Sequence, residues 1–132
     1  MDFVSVRIIT DDIKRLVRFY EDIGLNAIWY TEEFAELSTS TGTLAIGSKR
    51  TMDLFGSGAA IPASNRSLIL EFHVPDVDEV YSRLGGWLED VVQAPATLPW
   101  GNRSLLFRDP DGNLVNFFTP VTPEAIRKYL KR

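Results

Sequence analysis

The chain states one pattern twice, 64 residues apart, and nothing else in it restricts the fold as much. Asp12 precedes apolar residues at Ile13, Leu16, Val17 and Tyr20, and Asp76 precedes Val77, Val80, Tyr81 and Leu84. Both sets follow the i, i+3, i+4, i+7 spacing that lines one face of a helix. In both, Asp stands at the N-cap, where a short carboxylate accepts hydrogen bonds from otherwise unpaired N–H groups. A strand-like run comes before each: residues 3–9 in the first half, 68–74 in the second. Later in each half a turn leads into an apolar strand, Ser40 to Ile46 and Pro110 to Asn116, now offset by 70. A duplication of this size implies a pseudo-twofold domain with a ligand cleft between its halves.

Each half reads as strand, helix and three strands. In the first these are 3–9, 13–23, 27–30, 35–38 and 43–46, with Gly24 as a C-cap able to take a left-handed conformation. In the second they are 68–74, 77–84, 88–93, 103–107 and 113–118, with Gly85 and Gly86 in the matching place. The expected class is α+β: two pseudo-symmetric βαβββ modules forming a concave, half-barrel-like sheet with helices outside. The expected organisation is one domain, with modules at 1–47 and 68–120, a connecting segment at 48–67 and a C-terminal helix at 121–132. The connection is rich in Gly, Ala, Ser and Pro, with Met52 and Phe55 as its main large apolar residues. Thr122 and Pro123 form an N-cap and first-position pair for the last helix.

At 132 residues, the chain is long enough to bury a core. Its 45% hydrophobic and 24% charged residues are those of a globular protein. No apolar run approaches the ~18–20 residues that span a membrane, and no signal-peptide pattern is present. The absence of cysteine excludes disulfides and thiolate chemistry and suits a cytoplasmic location. A net charge of −4 argues against a nucleic-acid partner. The basic cluster Arg127, Lys128, Lys131 and Arg132 is best placed at the negative end of the last helix's dipole.

Strand alternation assigns faces. Val4, Val6 and Ile8 share one face, as do Leu68, Leu70, Phe72 and Val74, and these should pack on the helices. Ser5, Arg7 and Ile9, and Ile69, Glu71 and His73, take the opposite face. Its mixed polarity suits a ligand surface.

Three stretches carry a family resemblance: Asp12 to Tyr20 with Gly24-Leu25; Phe72 to Asp78; and Trp100-Gly101-Asn102-Arg103 with Phe107 to Asn113. Through them the chain resembles the vicinal oxygen chelate superfamily of glyoxalase I, extradiol dioxygenases and bleomycin-resistance proteins. The resemblance implies paired βαβββ modules and, from the habits of that superfamily, a homodimer. It also implies four metal-ligand positions, which fall at Ser5, Ile46, Ile69 and Asn116. None is His or a carboxylate, and a single His excludes a 2-His-1-carboxylate site within one chain. The expectation is a site with no metal, no cofactor and no catalytic residue, most like the metal-free bleomycin-resistance-type members.

The expected ligand-facing residues are Arg7, Glu71, His73, Trp100, Arg103 and Asn116, with Trp29 and Phe34 as further aromatic wall. Arg7 and Glu71 hold equivalent positions in the repeat, so they either pair with each other or meet a ligand separately. His73 titrates near neutral pH as a residue type, yet no partner constellation marks it as a general base. Arg103 either faces the ligand or pairs with an acidic neighbour. The Asp109 to Asn113 block reads as a tight turn fixing the last strand. The leading function is binding of a small, partly aromatic or amphipathic molecule in the cleft. The alternatives are a lyase, isomerase or dioxygenase-like enzyme using His73 and Glu71, with or without a non-standard metal site, and a protein-interaction module with a vestigial cleft.

Overall fold

The computed structural model describes residues 1–54 and 56–130; Phe55, Lys131 and Arg132, noted above, lie outside the described residues. The first half contains β1 (Ser5–Thr10), α1 (Ile13–Asp22), β2 (Ala27–Thr31), β3 (Phe34–Ser38) and β4 (Thr43–Ser48). A 3-10 helix, Lys49–Leu54, follows. The second half contains β5 (Ile69–His73), α2 (Val77–Leu84), β6 (Val91–Thr97), β7 (Asn102–Arg108), β8 (Leu114–Pro120) and α3 (Pro123–Leu130). The sheets run β1-β4-β3-β2 and β5-β8-β7-β6. In each, the first pair is parallel and the others antiparallel. Two βαβββ modules of one topology make this an α+β protein. The chain divides into two compact units, Met1–Ser64 with Pro110–Gly112, and Asn65–Asp109 with Asn113–Arg132.

The helices form where the repeat places them. Asp12 accepts a hydrogen bond from Arg15 N at 3.1 Å, and α1 buries Ile13, Leu16, Val17 and Tyr20. Asp76 accepts from Asp78 N and Glu79 N, and α2 buries Val77, Val80 and Leu84. The two helix ends differ. Gly24 takes φ +124°, which favours glycine. Gly85 is right-handed, and glycine is needed there because a Cβ would sit 2.7 Å from Tyr81 O. At α3, Ala125 N donates to Thr122 Oγ1 at 3.3 Å, which supplies the expected cap.

Most strand boundaries shift from the sequence reading, and three departures have a clear cause. β1 begins at Ser5 rather than Phe3, because its partner β4 begins at Thr43, opposite Ser5. Phe3 and Val4 are accordingly exposed, so Val4 does not join the helix-facing row. The strand expected at 88–93 is Val91–Thr97. Leu88 instead donates its N–H to Leu84 O at 2.9 Å and buries its side chain at the end of α2. Within the connection, Met52 is buried as part of the 3-10 helix, which Thr51 ties back to Ser48 O at 2.7 Å.

The corresponding edge strands β2 and β6 also differ. β2 exposes Ile28, Trp29 and Tyr30 in succession, whereas β6 carries Pro95 and two register shifts against β7. Among the described residues, no helix is long and apolar enough to cross a membrane.

Candidate functional site

Residues paired across a ladder project to one side of the sheet, so the register sorts the candidates by face. In the second module one face carries Leu70, Phe72, Leu105, Phe107, Val115, Phe117 and Thr119. This is the α2 side, since Val77 N donates to Thr119 Oγ1 at 2.9 Å. The far side carries Ile69, Glu71 and His73 from β5, Leu114, Asn116 and Phe118 from β8, and Asn102, Ser104 and Leu106 from β7.

Three of the expected ligand residues meet on that far side. Glu71 and Asn116 are ladder partners, and Asn116 Nδ2 donates to Glu71 Oε2 at 2.9 Å. In the next row His73 stacks on Phe118, with ring centroids 5.6 Å apart and planes 17° from parallel. Tyr129 of α3 covers this row, 5.0 Å from Phe118 and 5.7 Å from His73 between centroids. The C-terminal helix thus lies across the sheet face opposite α2.

The same face holds three unmet polar atoms, two of them on residues that sequence reading did not single out. Asn116 Oδ1, Ser104 Oγ and Asn102 Oδ1 are buried with no hydrogen-bond partner among the described residues. Their residues are 8%, 1% and 8% exposed. An ionised carboxylate only accepts, so Asn116 must turn its NH₂ to Glu71, which leaves its carbonyl oxygen as the unmet group. Each such atom costs about 1–3 kcal/mol. Alternating polar residues in a strand read equally well as a solvated face, which is why Asn102 and Ser104 escaped notice. That Ser104 and Asn116 share a side with Glu71 and His73 emerges only from the register of β5, β7 and β8.

The other candidates lie elsewhere. Arg103 pairs with Thr119 on the α2 side, and its Nε donates to Asp78 Oδ2 at 2.8 Å. That hydrogen bond holds the guanidinium above its ordinary pKa; desolvation opposes it, and the Asp78 charge adds to it. Arg103 therefore has the acidic neighbour that sequence reading allowed, on the face opposite Glu71. Trp100 is exposed in the β6–β7 turn. Its neighbour Gly101 has φ +94°, a Cβ there would collide with Thr122, and its carbonyl accepts from Val121 and Thr122.

In the first module Arg7 lies with its guanidinium carbon 4.5 Å from the Phe34 ring centroid, a cation–π contact on the side away from α1. Trp29 is 42% exposed on edge strand β2. A separate concavity of about 590 Å³ is lined by Asp11, Asp12, Lys14, Glu33, Ser48 and Arg50 among others. Its charges are of both signs, and Arg50 pairs with Glu33 at 3.0 Å. The Asp109–Asn113 turn is structural: Asp109 accepts from Asn113 N and Nδ2, both at 2.9 Å.

Residues 2–117 match the model of the Glyoxalase/Bleomycin resistance protein/Dioxygenase superfamily. The chain belongs to that superfamily. It is 28% identical over 125 residues to the "Uncharacterized protein YraH" of Bacillus subtilis, covering 89% of this chain and 98% of that one. The fold matches a crystal structure of a glyoxalase/bleomycin resistance protein/dioxygenase family enzyme from Burkholderia phytofirmans, with a TM-score of 0.80 at 19% identity. That match covers 92% of this chain and 100% of the other. It also matches a lactoylglutathione lyase from Agrobacterium tumefaciens, with a TM-score of 0.69 at 21% identity, covering 89% and 92%.

The residues at the superfamily's metal positions do not fit a divalent transition metal. Register corrects one of them. Asn116 lies opposite Glu71 as Ala45 lies opposite Arg7, so its counterpart is Ala45, while Ile46 pairs with Ile8 on the α1 side. Ala45 and Ile69 carry no donor atom, and Ser5 and Asn116 are weak ligands for such ions. Among the described residues no group of three or more His, Cys, Asp or Glu is placed to hold a metal ion.

Proposed function

We propose that this superfamily member binds a small, partly aromatic or amphipathic molecule without a metal, in the manner of bleomycin-resistance-type proteins. The carrying observation is the Glu71–Asn116 hydrogen bond beside the His73–Phe118–Tyr129 stack. It sets a charged, oriented polar group next to flat apolar surface, which is the composition of a small-molecule site. A lyase, isomerase or dioxygenase-like enzyme using His73 and Glu71 is the rival reading. Contact of the His73 ring with both Phe118 and Tyr129 favours a binding role over proton transfer. No cofactor takes part in the binding reading. The cytoplasm is the proposed compartment for this cysteine-free chain.

The test is a binding screen of metal-stripped protein against neutral and charged aromatic compounds, read by amide chemical shifts, with parallel metal analysis. Saturable binding centred on β5 and β8 is expected. Stoichiometric Zn, Ni, Fe or Mn that disappears in His73→Ala would overturn the reading in favour of the enzyme. We further propose a homodimer, supported by the exposed Ile28, Trp29 and Tyr30 of edge strand β2. A light-scattering mass near the single-chain 14.9 kDa at micromolar concentration would refute it.

A further inference from the structure

We propose that the concavity at the start of α1 is a second binding site, which takes a small zwitterion by its carboxylate and its ammonium group. It lies in the first module, at the C-terminal ends of the parallel strands β1 and β4, and does not depend on the binding reading above.

The duplicated unit closes this place in one module and leaves it unclosed in the other. Ser48 stands three residues past Ala45 as Thr119 stands three past Asn116, so the two hydroxyls are counterparts. In the second module Thr119 Oγ1 accepts from Val77 N at 2.9 Å and donates to Val74 O at 2.8 Å, which seals the start of α2. Ser48 makes neither bond. It is 6% exposed, lines the concavity, and its Oγ is buried with no hydrogen-bond partner among the described residues. Its backbone is already used: the N–H donates to Glu33 O at 2.9 Å and the carbonyl accepts from Thr51 Oγ1 at 2.7 Å. The counterpart of Val77 N is Ile13 N. In α1 the Asp12 side chain takes Arg15 N and its carbonyl takes Leu16 N, so the N–H groups of Ile13 and Lys14 have no acceptor among the described residues. Two backbone donors at the positive end of a ten-residue helix, beside a hydroxyl that lacks a partner, suit an anionic oxygen.

The surrounding charges decide what carries that oxygen. Lys14, Lys49, Asp11 and Glu32 all line the concavity, and among the described residues none of these four side chains has a hydrogen-bond or ion-pair partner. The other charges there are committed: Arg50 to Glu33, Asp12 to Arg15 N and Asp53 to Ser57 Oγ. The four uncommitted charges cancel. A plain anion would therefore face two unanswered carboxylates, and a plain cation would leave the α1 donors and both lysines unmet. A ligand bearing both charges answers both sets with charge-assisted hydrogen bonds. At about 590 Å³ the concavity falls in the size range of small-molecule sites.

An amide chemical-shift titration of the full chain at neutral pH decides it. The probes are glycine, 4-aminobutyrate and 6-aminohexanoate, with butyrate and butylamine as singly charged counterparts. At least one amino acid is expected to bind saturably, at least tenfold more tightly than butyrate or butylamine, and to move the Ile13 and Lys14 amides. Ser48→Ala removes the buried hydroxyl, and Glu32→Gln removes one exposed negative charge. Each should weaken that binding at least threefold, with an unfolding midpoint no lower than the parent's as the control for folding. Glu32→Gln carries the test alone should Ser48→Ala fail to fold. Equal binding of the amino acid and either singly charged compound, shifts centred away from the start of α1, or full affinity in a folded variant overturns the inference. So does the absence of saturable binding by all three amino acids at millimolar concentration.

Discussion

The two modules share their helix-facing sides and differ on their far sides, and the difference follows the register row by row. Where the first module sets Arg7 beside Ala45, the second sets Glu71 beside Asn116. In the next row Ile9, Gly47 and Phe34 are matched by His73, Phe118 and Ser104. The aromatic ring has moved from the third strand to the fourth, with a small residue taking the vacated side. The space over each row is also used differently. A Cβ on Gly47 would approach Thr51 of the 3-10 helix to 3.0 Å, while Phe118 meets Tyr129 of α3. In both modules the helix after the last strand closes the same end of the sheet. The comparison teaches that packing against the long helices froze one side of the duplicated unit, and volume exchange between neighbours left the other side able to change chemistry.

Four experiments press on that comparison. The largest effect is expected in the shared core. Leu37 and Leu105 stand on the helix-facing sides of β3 and β7, both essentially unexposed. Leu37→Ala and Leu105→Ala should each cost about 2–5 kcal/mol in denaturant unfolding. A negligible cost in one module alone would show that the common framework is not held equally.

Next come the helix ends. Gly24→Ala should cost about 1–2 kcal/mol through backbone strain, since nothing lies within 4 Å of an added Cβ. Gly85→Ala should cost about 1–3 kcal/mol through overpacking against Tyr81. A neutral result at either would show that this helix end relaxes. Smaller still, Ser104→Ala removes an unmet buried hydroxyl and should leave stability unchanged or raise it by up to about 1 kcal/mol. A clear loss would show that the hydroxyl has a partner and is no part of a ligand site.

The smallest effect belongs to Arg103→Met. Its ion pair with Asp78 is exposed to solvent and screened by salt, so unfolding midpoints should differ little from the parent and less at high ionic strength. Ligand binding should not change, because Arg103 faces α2. Lost binding would move the site to the other side of the sheet.

Much of this was legible in the residues. The caps Asp12 and Asp76 and the apolar rows behind them define both helices, because a 3.6-residue period and a capping carboxylate are local signals. The Asp109–Asn113 turn was readable for the same reason. What was not legible depended on register. The true counterpart of Asn116 emerges only when β4 is laid against β1, one residue from where the sequence offset puts it. The fate of Arg103 turned on which side of β7 faces α2. Asn102 and Ser104 look like ordinary surface polarity until α3 is seen to cross their face. Leu88 misled because an apolar residue after a helix serves a core as readily as it starts a strand.

The unequal edges carry a consequence for how this protein fails. A strand edge is a template for any other chain, and exposed apolar residues on it remove the barrier to lateral growth. β2 offers Ile28, Trp29 and Tyr30 with no proline, whereas Pro95 deprives β6 of a donor and bends its pairing. On heating or at high concentration, irreversible loss should therefore nucleate on the first module and grow through β2. Its shelf life would then be set by a strand of five residues, however well the second module is packed.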